Sequence, residues 1–445
     1  CVALILVQLV LPFFNELSDK NMSVLWANPF FWMMCIFFTL FTGAIAGIYP
    51  ALYLSSFKPV TVFKGTFKAG RLASIPRKIL VTVQFVVSVV LIIGTIIVFK
   101  QIQYAKNRPA GYNRNGLITI GLTTHDLARH FAAVESELNT SGAIAGIAEA
   151  SSPMTAIHNT NNNVTWKEKD PNATYDFANI RVTSDYGKTI GWQLLAGRDF
   201  SNQMFTDSSA IILNEAAVKY MGLANPLDEI IRFENEDHRV IGVVKDMVME
   251  SPYEPAKQTI FYLRPSFDNV VVRINPARST HDALRKIGAV CKKYSPSVPF
   301  AYKFVDEDYA KKFDDEERTG KLAGVFSVLA IFISCLGLFG MASFVAEQRT
   351  KEIGVRKVLG ASVLNLWGLL SKEFVMLVLL ALLIATPLAY YFMHSWLQGY
   401  QYRTNLSWWI FAATGLGALL ITLLTVSLQS MKAAITNPVK SLRTE

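Results

Sequence analysis

Long apolar runs free of charge alternate along the chain with charged stretches. Residues 21–57, 79–99, 322–346, 374–402 and 404–431 hold no Asp, Glu, Lys or Arg. Each is long enough to supply the roughly 20 apolar residues that carry an α-helix across a bilayer. A sixth apolar run, 1–15, lacks the basic start and small-residue cleavage site of a signal peptide and reads as the tail of a truncated helix. Between 101 and 319 the period changes. Leu117-Ile118-Thr119-Ile120 alternates like a strand; THDLARHFAAVESEL follows as a helix that Thr124 or Asp126 is placed to cap, and 143–147 is strand-like again. The same order returns at 270–274, STHDALRKIGAVCKKY and 298–304.

Two βαβ units that each leave an apolar sheet face bare pack into one α+β sandwich. The pattern therefore predicts a split βαβ, ferredoxin-like subdomain with a mostly β subdomain inserted at about 150–265. Within the insert, 210–213 reads as a strand, NEAAVKYMG as a short helix ending at Gly222, and IIRFENEDHRVIGVVKDM as two strands joined by a polar turn. Asn161-Asn162-Asn163 reads as an exposed loop. The expected fold class is a membrane α-helical bundle plus an α+β extracytoplasmic domain. Its boundaries are a truncated transmembrane helix at 1–14, transmembrane helices at 30–54, 78–100, 320–346, 366–393 and 407–430, a linker at 55–77, the sheet domain at 101–319, a short helix region at 347–365 and a tail at 431–445.

Charge sets the orientation. Residues 101–319 hold 25 Lys+Arg against 28 Asp+Glu, a net of −3, so the chain's excess of +9 belongs to the membrane part. It gathers at Lys58, Lys64, Lys68, Arg71, Arg77 and Lys78, at 349–357, and at Lys432, Lys440 and Arg443. The positive-inside rule makes those segments cytoplasmic and the 101–319 domain external. A basic balance of this origin excludes nucleic acid as the partner and names membrane lipid instead. Of the four cysteines only Cys291 lies in the external domain, so no disulfide framework supports it. His125 and His130 stand five apart, on different helix faces, which is no metal-ligand spacing.

The apolar spans carry no ionisable group at mid-membrane, which an ion-coupled carrier needs. Gln84 is the most polar residue deep in a span, and Gly43, Gly47, Gly337, Gly340, Gly415 and Gly417 fit close helix packing. Residues 65–72 have the glycine spacing of a P-loop but neither its Lys-Ser/Thr pair nor a preceding strand. The sequence predicts no catalytic residues, no metal and no directly bound cofactor. A pattern of Pro-Val followed by a basic residue recurs at 59–64 and 438–440, and LVLPFF near the start echoes ATPLAYYF at 385–392. This internal repeat marks the chain as the later part of a duplicated protein.

EQRTKEIGVRKVLGAS, at 347–362, lies between two spans. Glu352 and Arg356 stand four apart in the favourable acid-first order, while Val355, Leu359 and Ser362 form a separate stripe, so a short amphipathic helix results. Gly354 within it costs about 0.5–1 kcal/mol relative to Ala, which points to a close neighbour. No Trp or Phe is present to seat the segment on a lipid surface, so a protein partner fits better. At 305–318, Val305, Tyr309 and Phe313 recur every four residues beside a charged face, which extends the following span outward; residues 100–104 extend the span before the domain in the same way.

EQRTKEIGVRKVLGAS resembles the cytoplasmic signature of the FtsX-like permease family, the MacB-type ABC transporter membrane subunits. ILVTVQFVVSVVLIIGT at 79–95, LNEAAVKYMG, VIGVVKDM and the terminal AITNPVKSLRTE add to the likeness. The resemblance implies a multi-pass protein of the bacterial inner membrane, non-catalytic itself, with a periplasmic core domain of two subdomains. It implies that 347–362 docks on a separate ABC-type ATPase subunit, which uses the ATP, through Glu347, Arg349, Lys351, Glu352, Ile353, Gly354, Arg356, Lys357, Leu359, Gly360 and Ala361. A periplasmic adaptor or an outer-membrane channel is a further partner class. The resemblance also implies the C-terminal part of a duplicated eight-span permease, which exports or extracts a peptide, lipid or lipoprotein-type substrate. The alternative is an ATP-driven regulator of a cell-envelope hydrolase or signalling partner.

Overall fold

The computed structural model describes residues 2–55, 75–167, 169, 176–266 and 268–435. Cys1, Lys58, Lys64, Lys68, Arg71, Lys440, Arg443, both Pro-Val pairs and the glycine spacing at 65–70 lie outside the described residues. The chain divides into two compact units. One takes Cys1–Phe99, Glu317–Ser395 and Leu406–Glu445; the other takes Lys100–Glu316 and Trp396–Asn405. The helices in chain order are α1 (Val2–Ser18), α2 (Pro29–Ser55), α3 (Ile75–Lys106), α4 (Asp126–Arg129), α5 (Phe131–Ser141), α6 (Tyr186–Ile190), α7 (Glu215–Met221) and α8 (Thr280–Tyr294). They continue with α9 (Val305–Ala310), α10 (Asp314–Gln348), α11 (Thr350–Val358), α12 (Val363–Gln398) and α13 (Trp408–Ile435).

In the helical unit, five helices among the described residues are long and apolar enough to cross a membrane. Apolar side chains alone give helices in lipid little reason to associate, so polar and small residues mark the contacts. Helices α3 and α10 pair antiparallel along such a seam. Ser88 and Ser334 share a hydrogen bond of 2.9 Å, as do Thr95 and Ser327. Further along, the Gln84 amide lies over Gly337, where an added Cβ would meet Gln84 Oε1 at 2.6 Å.

The sheet unit begins with β1 (Leu117–Gly121) and β2 (Ile144–Ala150), then the insert strands β3 (Thr160–Asn161), β4 (Val164–Thr165), β5 (Phe177–Val182), β6 (Leu194–Gly197) and β7 (Ala210–Asn214). It continues with β8 (Ile230–Phe233), β9 (Glu236–Val244), β10 (Thr259–Leu263), β11 (Asn269–Ile274) and β12 (Lys303–Phe304). Strands β12-β1-β11-β2 are antiparallel neighbours, the 4-1-3-2 order of a split βαβ sandwich. Helices α5 and α8 cover one face, burying Leu138 and Ile287 with Ile118, Ile147 and Val272.

The insert leaves after β2 and returns at β11. Its strands run β5-β10-β7-β9-β8-β4, with β5·β10 and β7·β9 parallel. The two halves are less separate than the sequence suggests: Ala150 of β2 pairs with Val182 of β5, so one sheet runs through both. A shared core of Leu117, Ala150, Val182, Ile212 and Phe261 fills the join. Continuous burial of both faces at β5 and β10 explains why alternation did not mark a boundary there.

Local differences have local causes. The helix expected after Thr124 breaks at His130, whose Nδ1 donates to the Asp126 carbonyl at 2.9 Å and competes with the helical ladder. Thr124 does not cap it but donates to Asp126 Oδ2 at 3.2 Å. Asn161 lies in β3 rather than in a free loop. The polar turn between β8 and β9 is the two-residue Glu234-Asn235, with φ of 52° and 66°, as a type I′ hairpin requires. Val305, Tyr309 and Phe313 are all buried, and a 3₁₀ turn at Lys311–Phe313 joins α9 to α10.

Candidate docking site

The 347–362 segment folds as α11 between α10 and α12. Glu352 lies in its first turn, and Arg356 and Lys357 in its last, each complementing the helix dipole. Glu352 and Arg356 form the expected i,i+4 pair at 2.8 Å. The helix stops because Gly360 takes φ +91°: the amide of Ala361 donates to the Arg356 carbonyl and that of Gly360 to the Lys357 carbonyl, a Schellman closure. Ser362 then caps α12, its Oγ accepting from the Asn365 amide at 3.2 Å.

These contacts sort the residues that the sequence grouped together. Ile353 and Gly354 are buried. Gly360, Ala361 and Ser362 shape the turn. Glu347, Glu352, Arg356 and Leu359 are exposed, and Lys357 is half-buried; Lys351 lies on the same helix. Val355, Val358 and Leu359 are 47%, 66% and 80% exposed. They put an apolar strip beside the Glu352–Arg356 pair. The sequence-derived docking set lacks Val355 and Val358, although Val355 stands on the noted stripe.

Arg349 faces inward. Its guanidinium donates to Glu373 Oε2 of α12 at 3.1 Å, and the other Glu373 oxygen is paired with Lys78 of α3. Glu373 escapes a search for charge-free runs because it stands just before one. Helix α12 nevertheless begins ten residues earlier, at Val363.

In the sheet unit the 396–405 segment is bound by side chains that the sequence only marked as a helix extension. Gln101 Nε2 donates to the Tyr402 carbonyl and Gln101 Oε1 accepts from the Thr404 amide, both at 2.8 Å. The Tyr104 and Tyr402 rings stack at 4.6 Å, and Arg108 lies 4.6 Å over Tyr402. Tyr253 packs against Tyr400 at 5.0 Å and Phe313 at 5.9 Å, while Arg114 lies 4.2 Å over Tyr309. Lys312 donates to the carbonyls of Thr155 and Met249. Among the described residues no group of three or more His, Cys, Asp or Glu is placed to hold a metal ion.

Comparison with known proteins gives two family models. Residues 80–290 match a MacB-like periplasmic core domain, and residues 324–438 match the C-terminal region of FtsX-like permeases. The macrolide export ATP-binding/permease protein MacB of Chromobacterium violaceum is 24% identical over 295 residues, 63% of this chain and 45% of that protein. The pyoverdine export ATP-binding/permease protein PvdT of Pseudomonas aeruginosa is 23% identical over 196 residues, 40% of this chain and 29% of that protein. The chain thus spans less than half the length of these relatives. The crystal structure of the periplasmic region of MacB from Actinobacillus actinomycetemcomitans aligns at 16% identity with a TM-score of 0.33, covering 44% of this chain and 91% of that one. The chain is similar to MacB-type ABC transporter permeases and combines membrane-spanning helices with a periplasmic-type domain.

Proposed function

We propose that this chain is the non-catalytic permease subunit of an ABC transporter complex in the bacterial inner membrane. A separate ABC-type ATPase subunit hydrolyses ATP and docks on α11. The observation that carries this reading is the short helix α11 itself, closed at its C-terminal end by the Gly360 turn and followed at once by the Ser362 cap of α12. It presents Val355, Val358 and Leu359 beside an ordered ion pair. Apolar side chains ringed by charge on a rigid element are what a protein partner buries.

Closure of the ATPase on ATP moves α11, and the displacement passes into α3 and α10, each of which contributes residues to both compact units. The sheet domain responds outside the cytoplasm. The relatives' export of macrolides and pyoverdine supports export or extraction here, of a peptide, lipid or lipoprotein-type substrate. A periplasmic adaptor and an outer-membrane channel are the further partners of such a complex.

The test is isolation of the intact complex from membranes, with mass spectrometry of what co-purifies. Wild-type chain retains an ABC ATPase, and a Glu352→Arg/Arg356→Glu/Leu359→Asp variant loses it about tenfold or more. Equal retention by the variant removes α11 as the docking element.

A further inference from the structure

Helix α11 is joined covalently to α10 and α12 and has no such tie to α3. Among the described residues, the Glu373 carboxylate ties the start of α11 to α3 at this end of the helical unit. Glu373 of α12 receives Arg349, the residue immediately before α11, at 3.1 Å, and also Lys78, near the start of α3. The Glu373 side chain is 22% exposed, against 35% for Arg349 and 33% for Lys78. A charge in this setting is costly unless it is paired. One acid shared by two bases leaves no substitute partner for either base within the trio.

We infer that Glu373 is a positioning residue that fixes α11 against α3, so that docking-helix motion reaches α3 as well as the two helices continuous with α11. This rests on the docking role proposed above. The serine and threonine hydrogen bonds between α3 and α10 then carry α3 along with its neighbour, and the carboxylate sets where α11 stands on the pair. Loss of Glu373 does more than remove an attraction: it leaves two cations facing one another, and their repulsion drives Arg349 away.

The experiment measures distances by electron paramagnetic resonance in the full chain in nanodiscs, with no ATPase present. One spin-label pair joins Val358 on α11 to Ile79 on α3, both exposed positions. A reference pair joins Val87 on α3 to Val325 on α10, also exposed. In wild type both distance distributions are narrow. Glu373→Gln broadens the Val358–Ile79 distribution roughly twofold or more and leaves the reference pair unchanged. Lys78→Glu/Glu373→Lys does not rescue it, because Lys at 373 then faces Arg349. The full inversion Lys78→Glu/Arg349→Glu/Glu373→Arg restores the narrow distribution, which a purely space-filling role does not predict.

A Glu373→Gln distribution as narrow as wild type overturns the inference. So does loosening of the reference pair, since Glu373 then holds the helical unit as a whole and not α11. Because no ATPase is present, the distances report on Glu373 apart from docking, and undiminished ATPase retention by the Glu352→Arg/Arg356→Glu/Leu359→Asp variant counts against the docking role alone.

Discussion

Gln101 holds the main chain of Tyr402 with one end of its amide while the other end takes the amide of Thr404, and its side chain is almost wholly buried. A glutamine matches a peptide's donor and acceptor, so it fixes the 396–405 segment as a strand partner would. Gln101→Leu keeps the volume and strands both main-chain groups, each at about 1–3 kcal/mol. Hydrogen exchange at the Thr404 amide is expected to rise roughly tenfold or more in the full chain.

Gly337 faces the Gln84 amide with no room for a methyl group. Gly337→Ala therefore pushes α3 from α10 or turns Gln84 out of its place, at about 1–3 kcal/mol. Gln84→Ala/Gly337→Ala is expected to recover most of that loss. Thermal midpoints of the four proteins in one detergent, read as a double-mutant cycle, measure the coupling.

Burial pushes the carboxyl of Glu149 on β2 up to about 7, and the nearby Glu135 adds to it. A folded-state value above the unfolded one means that the neutral acid is favoured in the fold. The stabilisation is full below the usual carboxylate range and is lost as pH rises through about 7. Glu149→Gln is expected to melt higher than wild type at pH 8, with the advantage shrinking as pH falls to 5. A thermal scan across that range checks it.

Asp207 behaves in the opposite sense. It accepts from both terminal nitrogens of Arg198, at 2.7 and 2.5 Å, and from the Ser201 amide at 2.9 Å. The bond from Arg198 holds its carboxyl below the usual value. That stabilisation is present at neutral pH and is lost as pH falls through the depressed value. Asp207→Asn is expected to cost about 2 kcal/mol, less than a fully buried pair would, because Arg198 keeps 38% of its side-chain exposure. Faster proteolysis of the turn bearing the exposed Phe205 reports the loss.

The split βαβ order was legible because α5 and α8 bury one face and keep a helical period, while β1 and β11, buried on both faces, are short apolar runs that precede the repeated Thr-His-Asp helix starts. The continuity of the sheet was not, since Ala150 and Val182 meet through main chain, which leaves no mark on composition. Within α11 the Glu352–Arg356 pair could be read from spacing. The inward turn of Arg349 could not, as its partner Glu373 is distant in sequence and abuts an apolar run. Gln101 carried no signal beyond being polar after a span, because it recognises backbone.

The insert leaves the split βαβ sandwich after Ala150 and rejoins it at Asn269, and these two residues are direct partners in the β2·β11 ladder. Departure and return thus share one doorway, so the surrounding sandwich closes whatever hangs from it. Such a frame lets loops far from the opening be lengthened or trimmed over generations while the strands beside it keep their register.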